Sequence, residues 1–292
     1  MTHPHFIAEV SSNHHRDIDR CFQFIDASKN IGCQSVKFQL FRITELFSPE
    51  VLAKRSELRR RSEWELPVSF LSELSAYTHG RGLQFSCTPF YLEAVAELEP
   101  YVDFYKIASY ELLWNDLLRA CAETGKPIVL STGMATIDEI AIAVKTLRDA
   151  GCSNLTLLHC ISGYPTPIEQ CNLKAIQTLR DQFKCDVGWS DHSVSAKVVK
   201  RAVAHWGAKI VEFHLDLDGE GDEFKTGHCW LPNQMKEVID SIDKSSLDAE
   251  WPLADGDGVK KPSQVEVEDR EWRADPSDGL RPLLATRIKF RD

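Results

Sequence analysis

The sequence predicts a single (β/α)8 barrel, the TIM-barrel architecture, and three observations carry that expectation. Eight short, β-rich apolar runs recur along the chain, each followed by a longer stretch of helical period, which is the signature of parallel βα units. A length of 292 residues with 43% hydrophobic content suits one large core, since such barrels typically need about 250 residues. Most of the runs contain few polar residues, as strands covered on both faces should.

The elements follow in order. Strands are expected at 6–10, 35–40, 83–87, 104–107, 128–131, 155–160, 187–189 and 209–213. Between them Ile18, Cys21, Phe22 and Ile25 recur at helical spacing, and Ile137, Ile140, Ala141 and Val144 repeat it, so these helices bury one face against a barrel. Thr136 with Glu139 three residues on forms a capping box, and Gly32 and Gly151 stand where helix ends need a left-handed residue. The charged segment 52–65, with Arg59, Arg60 and Arg61 in succession, is long for a βα connection. It reads as a solvated helical excursion, or alternatively as a lid or subunit contact. The pattern ends near residue 244, which divides the chain into a barrel over 1–245 and a C-terminal arm over 246–292. Asp255, Gly256, Asp257 and Gly258, with Pro262, Pro276 and Pro282, favour an arm wrapped on the barrel.

Composition narrows the function. With 44 acidic against 34 basic residues the formal charge is -10, so no overall field draws the chain to nucleic acid or a membrane surface, and anions must be bound by locally placed cations. Nine cysteines without a CxxC pair read as reduced thiols of a cytoplasmic protein. The opening MTHPHFIAEV lacks a signal-peptide pattern, and no apolar run reaches about 18 residues.

In such barrels the strand C-termini form the active face. The eight predicted ends carry Glu9, then Lys37 and Gln39, Thr88, Lys106 with Ser109 and Glu111, Ser131, His159 followed by Tyr164, Ser190 with His192, and Glu212 with His214. Lys37 and Lys106, with hydroxyls around them, suit a ligand bearing both a carboxylate and a phosphate. His192 and His214, ending adjacent strands, suit a divalent metal. Glu9 is placed to order water or act as general base. Taken singly, a strand lysine is more often snorkelling or ion-paired, and His159 and His228 read as satisfied hydrogen-bonding residues. It is the convergence of all eight ends that favours a site.

The ordered motifs IAEVSSNH, VKFQLF, CTPF, YKIAS, PIVLSTGM, LHCISGYPTP, VGWSDHS and VEFH resemble those of the N-acetylneuraminate (sialic acid) synthase family, from residue 6 to about residue 273. The resemblance implies a metal-dependent transferase that condenses phosphoenolpyruvate with an N-acetylmannosamine-like aldose to give a nonulosonic acid and phosphate. It implies phosphoenolpyruvate contacts at Lys37, Gln39, Thr88, Lys106, Ser109, Ser131 and Ser190. Manganese or magnesium would sit on His192 and His214, Glu9 near the reacting carbons, and Glu111 and Tyr164 facing the sugar. A homodimer is also implied.

Two departures bear on the sugar. The family's sugar-binding aspartate loop is replaced here by HLDLDGEGDEFKTGHCWLP, where Asp222 is the expected counterpart and Glu223 or Asp216 the alternatives. The sequence ends at Asp292, leaving no expected counterpart of the family's C-terminal antifreeze-like domain and its arginine. Arg59, Arg60, Arg61 and Arg273 are the substitutes at hand. Condensation with a phosphorylated or shorter sugar remains an alternative, as does a catalytically silent sugar-binding barrel.

Overall fold

A computed structural model describes residues 3–242 and 251–291. Eight strands, β1 (His5–Glu9), β2 (Ser35–Leu40), β3 (Gln84–Pro89), β4 (Phe104–Ile107), β5 (Ile128–Ser131), β6 (Leu155–Cys160), β7 (Asp186–Asp191) and β8 (Ile210–Leu215), pair in sequence order, all parallel. Strand β8 pairs back onto β1 and closes the barrel. Eight helices alternate with them: α1 (Ile18–Ile31), α2 (Leu71–Gly80), α3 (Leu92–Leu98), α4 (Asn115–Glu123), α5 (Ile137–Asp149), α6 (Ala175–Phe183), α7 (Ala196–Ala204) and α8 (Pro232–Ile242). The (β/α)8 fold is therefore the one the sequence predicts.

Local chemistry sets the ends of these helices. Asp17 accepts the backbone N–H groups of Asp19 and Arg20 at the start of α1, and Gly32 closes it at a φ of 97°. Both halves of the Thr136–Glu139 capping box form at the start of α5. Each such cap satisfies backbone groups that the helix itself cannot, and contributes about 1 kcal/mol.

Alternation along the strands separates two apolar regions. Phe6, Ala8, Phe38, Phe85, Trp189 and Phe213 belong to the large cluster that includes helix residues such as Phe24, Leu117 and Ile176. Ile7, Phe104, Val129 and Leu158, with Ile210, form a separate small cluster inside the barrel. Two residues further along these strands, the period of a strand places the next side chains on the same inner face. Those residues are Glu9, Lys106, Ser131, Cys160 and Glu212, so the interior changes from apolar to ionisable towards the C-terminal end. Gly188 is required at the apolar level, since a Cβ there would lie 2.3 Å from the Ile210 carbonyl oxygen.

The strand-end Asp191 is structural. It is fully buried, and its two carboxylate oxygens accept the indole N–H groups of Trp189 and Trp230, each at 2.9 Å. Trp230 lies in an unforeseen two-residue strand, β9 (Cys229–Trp230), which pairs with the end of β8.

The charged excursion after β2 folds as consecutive helical turns, Pro49–Lys54, Ser56–Arg59 and Arg60–Trp64. The segment 251–291 lies along the barrel: Ala254 accepts the N–H of Leu173, Ala274 donates its N–H to Tyr110, and Arg281 bridges to Phe47. The expected boundary at 245/246 lies outside the described residues. Among the described residues no helix is long and apolar enough to cross a membrane.

Candidate active site at the C-terminal mouth of the barrel

Strand register assembles the site. Glu9 on β1 is paired with Lys37 on β2 and with His214 on β8, and Ser190 on β7 is paired with Cys160 and Glu212. The side chains above the apolar layer line a cavity of about 300 Å³. Of the residues singled out in the sequence, Glu9, Lys37, Gln39, Thr88, Lys106, Ser109, Ser131, Tyr164, Ser190, His192 and His214 all line it.

Its floor is an ion-pair network. Lys37 contacts Glu9 directly and donates to the Thr88 hydroxyl at 3.2 Å. Glu212 lies between the two lysines, 3.5 Å from Lys106 and 4.0 Å from Lys37. Burial pushes Lys37 down to about 8, against the pull of Glu212 and with Lys106 adding to the shift. Burial also opposes the charge on Glu212, but Lys106 and Lys37 outweigh it and hold this carboxyl below its ordinary range. Ser131 Oγ and Glu212 Oε2 are buried with no hydrogen-bond partner. Buried polar atoms of this kind are costly unless something binds them. The Ser131–Thr132–Gly133 turn brings further hydroxyls close, since a Cβ on Gly133 would lie 2.2 Å from Ser162 Oγ and 2.8 Å from Ser109 Oγ. From outside, Glu266 of the arm accepts the N–H groups of Met134 and Ser162, which fixes the loops after β5 and β6.

One wall is made of imidazoles. The rings of His192 and His214 are 5.3 Å apart, and Tyr164 packs 4.3 Å from His192. Nδ1 of His192 donates to the Ile161 carbonyl at 2.8 Å, and Nδ1 of His214 donates to Glu223 at 2.8 Å. Each ring therefore keeps Nε2 as the nitrogen available to a metal, held in one tautomer by its neighbour. Burial pushes His214 down to about 4 and lowers His192 as well, so both rings are neutral at pH 7, the form that ligates. Burial works against a charge on Glu223, but hydrogen bonds from His214, His228 and the Ser11 hydroxyl bring it well below the usual carboxylate range.

Charge supplies a test of whether a divalent cation fits. Lys37 and Lys106 are already ion-paired with Glu9 and Glu212, and Glu223 adds a third carboxylate beside His214, so the two lysines bring no surplus positive charge to the floor of the cavity. An anionic ligand enters such a site favourably only with an additional cation, and two neutral imidazoles with free Nε2 atoms are suitable donors for one.

Two sequence expectations are corrected. Asp222 is exposed at the first position of the short helix Asp222–Lys225 and does not line the cavity. The next residue, Glu223, turns inward to meet His214, Ser11 and Ser12, while Asp216 is buried and accepts the N–H groups of Gly219 and Gly221. Glu111 does not face the cavity either; it is 1% exposed and ion-paired with Arg281, which takes its place in the lining.

Three contributors, Glu212, His228 and Arg281, were missed or left unassigned. Glu212 was noted at the end of its strand and given no role. His228 read as a satisfied residue, yet its ring lies 4.9 Å from His214 and 5.0 Å from Tyr164. The signal for it was the GHCW string, whose last two residues form β9. Arg61, one of the arginine candidates from the sequence, and Arg281 also line the cavity, Arg281 from an arm whose path no local pattern specifies. By contrast His159 is satisfied at one nitrogen only: its Nε2 is bonded to the Cys171 carbonyl at 2.9 Å, while its Nδ1 is buried without a hydrogen-bond partner. His214, Glu223, His228 and Cys229 also present donor atoms within 4.8 Å of one another, so His214 is shared between two donor sets.

Comparison with known proteins gives concordant results. The sequence model of the NeuB family matches residues 24–249. An uncharacterized protein of Methanocaldococcus jannaschii is 37% identical over 265 residues, covering 89% of this chain and 75% of that protein. The N,N'-diacetyllegionaminic acid synthase of Campylobacter jejuni is 35% identical over 277 residues, covering 89% of this chain and 80% of that protein. The crystal structure of the spore coat polysaccharide biosynthesis protein spsE from Bacillus subtilis superposes with a TM-score of 0.81 at 28% identity, over 92% of this chain and 77% of that one.

Proposed function

The chain belongs to the NeuB family and is a synthase of that kind; from this premise we propose that it condenses phosphoenolpyruvate with an N-acetylmannosamine-like aldose, giving a nonulosonic acid and phosphate. The observation that carries the reading is the convergence of Lys37, Lys106, His192 and His214 on one cavity at the barrel mouth. Relatives named as diacetyllegionaminic acid and pseudaminic acid synthases support an amino-sugar acceptor. A cytoplasmic homodimer remains the expected setting.

The chemistry divides among the chain's own residues. Lys37 and Lys106, with Gln39, Thr88, Ser109, Ser131 and Ser190, hold the carboxylate and phosphate of phosphoenolpyruvate, which fixes its C3 towards the acceptor. C3 forms a bond to the aldehyde carbon, whose oxygen takes a proton, and water adds at C2. The C2–O bond then breaks, and phosphate departs with the former bridging oxygen. Glu9, held by Lys37 and by the Ser11 N–H at 2.8 Å, is placed to orient that water and accept its proton. Manganese or magnesium on His192 and His214 would supply Lewis-acid polarisation of the aldehyde. Tyr164 forms a wall for the sugar, and Glu223 orients His214.

The reading is tested by phosphate release from phosphoenolpyruvate with manganese present, across a panel of N-acylated aminohexoses, plain hexoses and their phosphates. Release is expected only with a competent aldehyde. Binding of phosphoenolpyruvate without release for any member would exclude the condensation.

A further inference from the structure

The condensation uses His214 and Glu223 but leaves His228 and Cys229, beside them, without a task. Strand pairing sets His214 on β8 next to Cys229 on β9, and Glu223 arrives from the short helix between those strands. The hydroxyls of Ser11 and Ser12 both donate to one oxygen of Glu223, Oε1. The other, Oε2, faces three neighbours: His214 Nδ1 at 2.8 Å, His228 Nε2 at 3.5 Å and Cys229 Sγ at 3.9 Å. The four donor atoms all lie within 4.8 Å of one another.

Hydrogen bonding fixes the tautomer of His228. The Thr226 hydroxyl donates its one proton to the backbone carbonyl of Glu223 at 2.8 Å, so it can only accept from His228 Nδ1, also at 2.8 Å. A neutral His228 therefore turns an Nε2 lone pair towards a carboxylate oxygen. The two repel, so a proton or a metal ion belongs between them. Asn13 Nδ2 donates to Cys229 Sγ at 3.8 Å, a contact that favours the sulfur as an acceptor.

We propose that His214 Nδ1, Glu223, His228 Nε2 and Cys229 form a second metal site, one for zinc, whose occupation excludes manganese from His192 and His214. Two imidazoles, a carboxylate and a thiolate make a tetrahedral set that zinc favours over the oxygen-preferring ions. Bonds of about 2.0–2.3 Å place such donors about 3.3–3.5 Å apart, close to the 3.5 and 3.9 Å already present around Glu223. His214, Glu223 and His228 line the main cavity, which gives the ion its entry path. Burial, then the charge of Glu223, push the Cys229 thiol up; its proton passes to solvent as the zinc–sulfur bond forms. Exclusion follows from the tautomer of one ring. A neutral imidazole has a single N–H, so a His214 that gives Nδ1 to zinc keeps its proton on Nε2 and has no lone pair for manganese. Zinc with four protein ligands keeps no open position for substrate, so its effect is inhibition. The exclusion rests on the reading that places manganese on His192 and His214.

The test titrates the full chain with cobalt, which reports a bound thiolate by a charge-transfer band in the near ultraviolet, and then with zinc, while manganese is followed by electron paramagnetic resonance. A thiolate band is expected with cobalt, zinc should remove it, and zinc should release manganese from the manganese-loaded chain in equal amount. Cys229→Ser is expected to lose the band and to weaken zinc about a hundredfold or more, beyond the usual cost of losing an outer partner of a ligand. Its manganese affinity should stay unchanged, which also shows that the variant folds; Cys229→Ala should behave alike. His192→Ala should keep the band. A wild-type chain without the band overturns the site, as does a band that survives Cys229→Ser or disappears in His192→Ala. Zinc and manganese bound together overturn the exclusion. The parent reading fails separately: a band lost in Cys229→Ser, with no phosphate release from any acceptor, would sink the condensation and leave the zinc site standing. Manganese-dependent turnover that zinc leaves untouched would do the reverse.

Discussion

Replacing His214 with alanine is expected to abolish manganese binding and to lower turnover at least about a thousandfold. His214 has an interior position paired in register with Glu9, and its Nδ1 is committed to Glu223, which leaves Nε2 for the metal. His228, just before β9, has its Nδ1 on Thr226 and its Nε2 3.5 Å from Glu223, so its ring is already turned to that carboxylate. His192→Ala should have a comparable effect. Glu223→Gln should be milder, weakening metal about 10- to 100-fold, the usual consequence of losing a carboxylate that orients a ligating histidine. Manganese titration by electron paramagnetic resonance separates these cases. Abolition by Glu223→Gln with little change in His192→Ala would transfer the metal to the donor set formed by His214, Glu223, His228 and Cys229.

Lys37→Met is expected to weaken phosphoenolpyruvate about a hundredfold or more, which corresponds to about 2.7 kcal/mol. The loss has two sources. The ligand forfeits a cation, and Glu9 loses its lysine partner while Glu212 keeps Lys106, so uncompensated negative charge confronts an anion. Lys37→Arg should not restore binding, since the ammonium is packed between Glu9 and Thr88 at 2% residue exposure. The same lysine sets a pH limit. Its binding form is the protonated one, and burial places its loss near pH 8; the contact with Glu9 opposes that loss, so it falls at pH 8 or above. The kcat/KM for phosphoenolpyruvate should therefore be flat below about pH 8 and decline above it, by up to about tenfold per pH unit. A lysine at its ordinary value would postpone the decline beyond pH 10.

The fold was legible because its determinants are local. Segments 35–40, 104–107, 128–131 and 155–160 form strands at the predicted bounds, each being a short apolar run with abrupt polar flanks. Strand β7 extends to Asp186–Asp191, beyond the predicted 187–189, because Ser190 points into the site and Asp191 satisfies two indoles. Their polarity disguised residues that continue the ladder. The inward lysines, Glu9 and the histidine pair were legible for a related reason: a strand fixes the direction of its side chains, so position at a strand end specifies location at the mouth. Glu223 and Arg61 stand on short helical turns, His228 just before the two-residue strand and Arg281 on the arm, where direction depends on tertiary contacts. Asp222 shows the limit clearly, since one residue of rotation in a four-residue helical turn separates a solvated carboxylate from one buried against His214.

The most direct measurement is an anomalous difference map from crystals grown with manganese and phosphoenolpyruvate. The expected result is one manganese peak ligated by Nε2 of both His192 and His214, with the carboxylate and phosphate of phosphoenolpyruvate on Lys37 and Lys106. Manganese among Glu223, His228 and Cys229 without His192, or phosphoenolpyruvate bound away from both lysines, would contradict it.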